Sequence, residues 1–277
     1  MFAQTFEAAA GQADEIVKVA QAQKQNAALT NALPTELQYT GRSIEFPETQ
    51  EEIYQLATIR VLPRLHRTRN SWAVVLDVDD TVLGHYEYQK RLAESGQSYS
   101  PATWDKWVRE EAAPAVPGAK DFVDQVRAIV RQHRGRGRIV YITDRDATQD
   151  QATIDNLVKD GLFDPKVDVL LTKKDKTDTK EIRRACVEKG NSGTDPRCQG
   201  WGPTEIVALF GDSFRDFLEF YGRDVYDKGA AELDKGMREG RCFVIPNPMY
   251  GQWADQGAAG AYEHFKPKPN PQLQTNK

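Results

Sequence analysis

The 277-residue sequence lacks several features that would place it in other protein classes. No apolar run approaches the length needed to span a bilayer, and the three cysteines lack the close spacing of a zinc site. The net charge is only −4, which gives no reason to expect polymeric nucleic acid as a partner. With 39% hydrophobic residues, the chain can bury one substantial core. We therefore expect a soluble globular protein without a transmembrane segment.

The three cysteines fit two different states. Cys186 and Cys198 flank a loop that contains Gly, Asp and Pro, and they could bridge in an oxidising compartment, leaving Cys242 as a buried thiol. Three reduced cysteines are an equally ordinary state. The sequence leaves the pairing open.

The two ends of the chain differ in composition from its middle. Residues 1–45 begin with a stretch rich in Ala and Gln, which predicts an N-terminal helical arm or leader, and no apolar signal-peptide core is visible there. Residues 263–277 contain a Lys-Pro repeat and predict a flexible tail. The domain itself is predicted to cover residues 46–262.

The most informative stretch reads VVLDVDDT, from Val74 to Thr81. It is an apolar run that ends in two carboxylates one residue apart, Asp77 and Asp79. Alternate residues of a strand point the same way, so this pair would converge on one spot. The alternative is a strand that runs into an Asp-rich surface turn. Polar residues farther along the chain favour the first interpretation.

Four further apolar runs have the length and β-branched character of strands. They cover residues 139–143, 167–172, 206–210 and 242–245. Helical patterns lie between them, at 118–132, from about Thr148 to Gly161, and after Lys180. This alternation predicts an α/β fold, a doubly wound (Rossmann-like) parallel sheet flanked by helices. The polar residues at the strand ends should then cluster at one edge, and they include Thr143, Lys180, Asp212 and Asp216.

These motifs, in this order, resemble those of the haloacid dehalogenase-like (HAD) superfamily. The matching stretches are DVDDT at 77–81, YITDR at 141–145, a downstream lysine, and GDSFRDF at 211–217. Residues 101–108, 115–119, 174–176 and 246–251 further resemble bacterial class C acid phosphatases, a group that includes outer-membrane lipoprotein phosphatases acting on 5′-nucleotides. The resemblance covers roughly residues 50–253. It implies a small helical cap inserted at about 82–117, and a periplasmic, outer-membrane-associated or secreted location. It leaves a homodimer open.

The resemblance implies a Mg²⁺-dependent acid phosphatase that hydrolyses small phosphate monoesters, such as 5′-nucleotides and aryl phosphates, through an aspartyl phosphate. Asp77 is the expected nucleophile, and Asp79 the expected general acid and base. Mg²⁺ would be held by Asp77, the backbone carbonyl of Asp79, and Asp212. We expect Asp216, one helical turn beyond Asp212, to lie on the same face and hold a metal-bound water. The role of Asp79 as an acid needs a protonated carboxyl, so we expect an acid pH optimum.

Two further residues complete the predicted catalytic set. Lys180 would neutralise the remaining negative charge, and Thr143 would donate a hydrogen bond to a phosphoryl oxygen. Lys176 is the alternative lysine, but Lys180 precedes the Glu-Ile-Arg-Arg run as the family's lysine does. Arg145 is predicted to bind substrate.

The chain departs from the family pattern at several positions, of which Gly84 and His85 lie beside the predicted substrate entrance. Asp80 stands where relatives usually have Glu, Gly84 and His85 stand where they have Asp-Asn, and Asp144 stands for Asn. The lysine-rich stretch 174–180 is also one residue longer. Substrate specificity is therefore expected to differ. His85 is either a second proton donor or simply a loop residue, and we favour the loop residue.

The insert is rich in aromatic residues, which stack on flat rings or pack in a core. Trp104 and Trp107, three residues apart on a predicted helix, are expected to belong to the core. Tyr86 and Tyr88 lie closer to the catalytic strand, and we predict substrate contact for them, and for His85, beside the alternative of packing.

Three other functions fit parts of the pattern. A signalling receiver domain also combines acidic residues, Thr and Lys on a doubly wound sheet, but its acidic pair and phosphoacceptor lie on different strands. A non-catalytic phosphate- or nucleotide-binding HAD protein is disfavoured because the catalytic set is complete. A HAD phosphotransferase, which passes the phosphoryl group to an alcohol, is the remaining alternative.

Overall fold

The protein is built around one five-stranded sheet in which all the strands run parallel. A computed structural model describes residues 33–133, 135–218, 230–251 and 253. Within these ranges the strand order is β3-β2-β1-β4-β5. The predicted doubly wound α/β fold is confirmed. The strands are β1 (Trp72–Leu76), β2 (Gly137–Asp146), β3 (Val169–Lys173), β4 (Glu205–Gly211) and β5 (Cys242–Val244).

Helices cover both faces of the sheet. They are α1 (Thr35–Arg42), α2 (Glu45–Arg67), α3 (Tyr86–Ser95), α4 (Pro101–Arg109), α5 (Ala119–Gln132), α6 (Asp150–Lys159), α7 (Lys180–Lys189) and α8 (Ala230–Arg238). Short 3₁₀ helices occur at Ala147–Gln149, Gly190–Ser192, Pro196–Cys198 and Phe214–Asp216. None of the helices within the described ranges combines the length and the apolar character that a membrane span requires.

Strand β1 lies at the centre of the sheet and is buried on both faces. Trp72, Val74 and Leu76 pack into the larger core, beneath α2 and α5, while Ala73 and Val75 face a smaller core beneath α7. Burial on both sides explains why the sequence of this strand is continuously apolar instead of alternating.

The chain order brings the carboxyl ends of the strands around β1 into one crevice. From β1 the chain moves outward through β2 and β3, and then returns to place β4 and β5 on the other side. Leu76 at the end of β1 pairs with Tyr141 of β2 and with Phe210 of β4. The residues that follow these positions therefore lie at the same edge, where such sheets bind ligands.

The insert between β1 and α5 contains two helices, α3 and α4. Leu83, at the start of the insert, forms isolated β-bridges with Asp79 just after β1 and with Ala115 at the end of the insert. Helix α4 begins at a capping box in which Ser100 and Thr103 satisfy each other's backbone N–H groups. Helix α1 lies inside the predicted N-terminal segment 1–45, whereas residues 1–32 and the predicted tail 263–277 lie outside the described residues.

Cys186 of α7 and Cys198 form a disulfide, with their Cα atoms 5.7 Å apart. Cys242 in β5 is free and partly buried. Of the two states that the sequence left open, a bridge or three reduced cysteines, the structure has the bridge. It attaches the loop after α7 to the helix whose first residue is Lys180.

Candidate active site

Asp77 is the first residue after β1, and its side chain is almost completely buried. Its backbone N–H donates to the carbonyl of Phe210 in β4 over 3.0 Å, which extends the β1–β4 pairing to the carboxylate itself. Lys180 donates to Oδ1, and the Thr81 hydroxyl lies 3.3 Å from Oδ2. The carboxylate is thus held in one orientation beside a lysine.

Three carboxylates meet at this edge of the sheet. Asp77, Asp212 and Asp216 each offer one carboxylate oxygen, and these oxygens lie within 4.8 Å of one another. A compact set of hard oxygen donors suits a divalent cation such as Mg²⁺. The donor set therefore fits the metal that the sequence motifs imply.

The way in which Asp216 joins the cluster differs from the sequence prediction. Asp212 is not part of a helix, and Asp216 ends a short 3₁₀ helix, so the spacing of one α-helical turn does not apply. Instead, the N–H of Ser213 donates to Asp216 Oδ2 over 2.8 Å and folds the loop back. A Cβ on Gly211 would lie 2.2 Å from Asp216, so only glycine leaves room for this turn.

The cluster places three carboxyl groups around one buried lysine. Burial raises the pKa of Asp77 to about 8, with Asp216 and Asp79 adding to the rise against the attraction of Lys180. Burial and repulsion from Asp216 and Asp77 raise the pKa of Asp212 well above its ordinary value. Burial acts to lower the pKa of Lys180, but the surrounding carboxylates reverse this and raise it. Lys180 therefore stays positively charged, and the carboxyl groups around it favour the binding of a second cation.

Asp79 has a different environment, although it lies only two residues from Asp77. Its Oδ1 accepts from Arg145 Nε over 2.9 Å and lies 2.7 Å from His85 Nε2. Its Oδ2 contacts the Thr143 hydroxyl at 3.3 Å. Burial alone would raise the pKa of Asp79, but Arg145 and His85 outweigh it and the pKa is lowered. The two aspartates are thus held in opposite electrostatic environments.

His85 lies in the loop before α3, as we favoured from the sequence, but it is completely buried. It immediately precedes α3, and the indole N–H of Trp107 donates to its Nδ1 over 2.8 Å. Arg145 was predicted to bind substrate, but here its guanidinium is engaged by Asp79 and by the Thr153 hydroxyl. Both residues surround the predicted acid.

The two candidate lysines differ sharply in position. Lys180 is buried and contacts Asp77 and Asp216, while Lys176 is exposed. Thr179 caps the N-terminus of α7 by accepting from the N–H of Ile182, and so sets the point at which Lys180 enters the site. Only Lys180 joins the acidic cluster.

The aromatic residues of the insert divide into buried and exposed members. Tyr88 is buried, with its hydroxyl 3.0 Å from that of Thr103, and Trp107 is buried beside it, as predicted for Trp107. The ring of Tyr86 packs against Gly41 of α1. A Cβ added to Gly41 would lie only 2.3 Å from this ring. Trp104 is partly buried, and Tyr99 is 62% exposed. Packing accounts for Tyr88, and substrate contact by Tyr86 stays a prediction.

Sequence reasoning gave no site role to two residues that the structure places around the cluster. Asn247, after β5, donates to Asp212 Oδ2 over 2.7 Å. Arg183 of α7 donates to Asp144 Oδ1 over 2.7 Å and to the backbone carbonyl of Thr143. Asn247 belongs to the PNPMYG stretch, which contributes to the family resemblance. Its position just after a strand is the sequence signal that could have identified it as a site residue.

The doubly wound sheet, with its acidic cluster and one lysine at the carboxyl edge beside β1, defines a protein of the HAD-like fold class. The chain belongs to the HAD superfamily, subfamily IIIB (acid phosphatase), whose family model matches residues 3–253. The family resemblance read from the sequence motifs is confirmed.

Relatives with known names agree with this membership. The class C acid phosphatase from Bacillus anthracis matches with a TM-score of 0.64 and 26% identity, covering 85% of this chain and 96% of that one. A structure of the same phosphatase with tungstate bound matches with 27% identity and the same TM-score of 0.64. Acid phosphatase 1 of Solanum lycopersicum is 26% identical over 187 residues, which is 66% of this chain. The chain spans about 59% of the length of this curated relative.

Proposed function

We propose that the protein is a Mg²⁺-dependent acid phosphatase that hydrolyses small phosphate monoesters through an aspartyl phosphate on Asp77. The observation that carries the proposal is the position of Asp77. It lies at the central strand's carboxyl end, oriented by Lys180, with Asp79 beside it at the same edge. In this proposal Asp77 attacks phosphorus and Asp79 exchanges the proton. The lowered pKa of Asp79 means that its acid role is favoured at acid pH, where more of the carboxyl is protonated.

The proposed reaction has two steps. In the first, a carboxylate oxygen of Asp77 forms a bond to phosphorus while the bond from phosphorus to the ester oxygen breaks. The ester oxygen keeps the electron pair and takes a proton from Asp79, and the alcohol leaves. In the second, water gives a proton to Asp79 and attacks phosphorus, the bond from phosphorus to Asp77 breaks, and inorganic phosphate is released.

The same residues support a metal requirement. Asp77, the backbone carbonyl of Asp79, and Asp212 would hold Mg²⁺, with Asp216 contributing through a water molecule. When bound, such an ion supplies positive charge that offsets the repulsion between the carboxylates and an anionic phosphate. Lys180 adds a second, permanent positive charge. The Thr143 hydroxyl, which donates to Asp79 Oδ2 in this structure, would turn to donate to a phosphoryl oxygen of the bound substrate.

The proposed substrates are 5′-nucleotides and aryl phosphates. The tungstate-bound relative supports a site for a tetrahedral oxyanion. The exposed ring of Tyr99 and the partly buried ring of Trp104 have centroids 6.5 Å apart in the insert, where a flat leaving group could contact them. We propose no polymeric nucleic acid as a partner.

A periplasmic, outer-membrane-associated or secreted location is part of the same proposal. The Cys186–Cys198 disulfide supports it because such bridges persist in oxidising compartments. The homodimer stays a prediction, which light scattering of the purified protein would test.

The proposal is tested by measuring phosphate release from p-nitrophenyl phosphate and a panel of nucleotides, with Mg²⁺ and with EDTA. We expect multiple turnovers that require the metal and disappear in Asp77→Asn. Mass spectrometry after acid quenching should find one phosphoryl group on the peptide that contains Asp77.

Three outcomes would overturn the proposal. Near wild-type turnover by Asp77→Asn would remove the covalent mechanism. Binding of nucleotide without turnover would identify a non-catalytic HAD protein. Formation of a phosphorylated alcohol in preference to inorganic phosphate, in buffer containing glycerol, would identify a phosphotransferase.

A further inference from the structure

The two oxygens of the Asp79 carboxylate have unequal surroundings. Oδ1 is approached by Arg145 Nε at 2.9 Å, Arg145 Nη2 at 2.8 Å and His85 Nε2 at 2.7 Å. Among the described residues, Oδ2 accepts from the Thr143 hydroxyl alone, over 3.3 Å. The acceptor capacity of Oδ1 is used by buried donors, while Oδ2 remains available for a reacting group.

The contact with Trp107 determines the tautomer of His85. An indole N–H can only donate, so Nδ1 of His85 must accept, over 2.8 Å. In a neutral imidazole the proton then sits on Nε2, which points at Asp79. An N–H on Nδ1 would face another N–H inside the core. Trp107 therefore keeps His85 as a donor toward Asp79.

The imidazole ring is also fixed in place. The backbone N–H of His85 donates to Asp80 Oδ1 over 2.9 Å, and the ring packs edge-on against Trp104 at a centroid distance of 5.0 Å. The side chain is fully buried, so it cannot turn toward a substrate. On the catalytic side, Nε2 lies 2.7 Å from Asp79 Oδ1 and 3.5 Å from Arg145 Nη2. The shorter contact, to an oxygen that can only accept, is the one that a proton on Nε2 satisfies.

We propose that His85, held by Trp107 as a donor from Nε2, occupies Oδ1 of Asp79 together with Arg145 and so makes Oδ2 the oxygen that exchanges the catalytic proton. His85 is then a positioning residue that acts through Asp79. The inference rests on the proposed function, in which Asp79 protonates the leaving oxygen. It assigns His85 a role different from substrate contact.

Loss of a residue that positions the acid should lower kcat/KM most for substrates whose leaving group needs a proton. 2,4-Dinitrophenolate leaves without protonation, whereas the 5′-oxygen of a nucleotide does not. The ratio kcat/KM reports only the steps up to departure of the leaving group, so the later hydrolysis of the aspartyl phosphate does not enter.

The experiment compares kcat/KM for 2,4-dinitrophenyl phosphate and for a 5′-nucleotide in wild type, His85→Ala, His85→Gln and Trp107→Phe. We expect His85→Ala to lose about 10²-fold on the nucleotide and less than about threefold on the aryl ester, as for a general acid out of place. His85→Gln, whose amide can donate to Asp79, should recover about tenfold. Trp107→Phe should show the same selectivity to a smaller extent.

The chain offers a matched control in Trp72→Phe. Trp72 is also fully buried and its indole N–H lies 3.4 Å from Nδ1 of another histidine, His133, at the other end of β1. This variant loses the same kind of contact without touching Asp79. Equal losses on both substrates in His85→Ala, or leaving-group selectivity in Trp72→Phe, would overturn the inference.

Two further measurements separate failure of the inference from failure of the proposed function. Asp79→Asn should show the strongest leaving-group selectivity; if it shows none, the assignment of Asp79 as acid is wrong. If it does, and His85→Ala does not, only the role of His85 is wrong. Independently, ¹⁵N NMR of histidine-labelled protein, assigned with His85→Ala, should show a protonated Nε2 and an unprotonated Nδ1. A proton on Nδ1 would overturn the inference.

Discussion

Asn247 donates a hydrogen bond from its side-chain amide to Oδ2 of Asp212 over 2.7 Å. The contact joins the loop after β5 to the loop after β4. The amide is itself oriented, because its Oδ1 accepts from the N–H of Met249 over 3.0 Å. One carboxylate of the acidic cluster is thus aimed by a side chain from a neighbouring strand's loop.

Removing this contact should weaken metal binding. We expect Asn247→Ala to raise the Mg²⁺ concentration for half-maximal activity by about 10-fold to 100-fold, as is typical when a residue that orients a metal ligand is lost. Activity titrated with Mg²⁺, and calorimetric titration of the metal alone, measure the change. Asn191→Ala removes an amide contact to the backbone of Gly200, away from the cluster, and serves as the control. An unchanged Mg²⁺ dependence in Asn247→Ala would contradict the prediction.

Lys180 and Lys176 should differ greatly on substitution. Lys180→Ala removes the buried charge that contacts Asp77 and Asp216, and we expect a loss of kcat of at least about 10²-fold. Lys176→Ala removes an exposed charge from the same basic stretch, so it should stay within about twofold of wild type. Steady-state kinetics on p-nitrophenyl phosphate compare the two. A larger loss in Lys176→Ala would reverse the assignment.

The acidic cluster makes the stability of the metal-free protein depend on pH. Folding raises the pKa of Asp77 from its ordinary 3.8 to about 8, mainly by burial. Between these values the folded protein holds a proton that the unfolded chain has lost, so the free energy of unfolding falls as pH rises through this window. A bound cation replaces the proton.

We therefore expect Mg²⁺ to raise the melting temperature more at about pH 8 than at about pH 5. Thermal unfolding with EDTA and with excess Mg²⁺, at both pH values, measures the rise in melting temperature that the metal causes at each. Asp77→Asn should reduce the difference between them. Equal gains at the two pH values would show that Asp77 is not protonated in the metal-free fold.

The disulfide should stabilise the fold through the chain segment that it closes. Cys186 and Cys198 are separated by 12 positions, and a loop of this size corresponds to about 3 kcal/mol. Urea unfolding of Cys186→Ala/Cys198→Ala should show a loss of this order, and addition of a reductant should no longer change the stability of the variant. Cys242→Ala changes a cysteine outside the bridge and is the control. A stability within about 0.5 kcal/mol of wild type would contradict the prediction.

The sequence predicted the sheet because parallel strands buried on both faces leave an unmistakable apolar pattern, as in Val74 and Val75. It placed Asp77 and Asp212 at one edge because the topology of such a sheet is restricted. The helical argument for Asp216 was wrong, because the turn after Asp212 is decided by Ser213 and by the space over Gly211. Those are contacts between backbone and side chain that no periodicity encodes.

By itself, the sequence determined the fold class, the family and the identity of the acidic residues, because each of these depends on local pattern or ordered motifs. The tertiary structure decided the Cys186–Cys198 pairing, which of two lysines enters the acidic cluster, and what His85 contacts. The physical reason is that these outcomes depend on which buried donor meets which acceptor across distant segments. Hydrogen-bond partners inside a core are set by packing, and packing is not periodic along the chain.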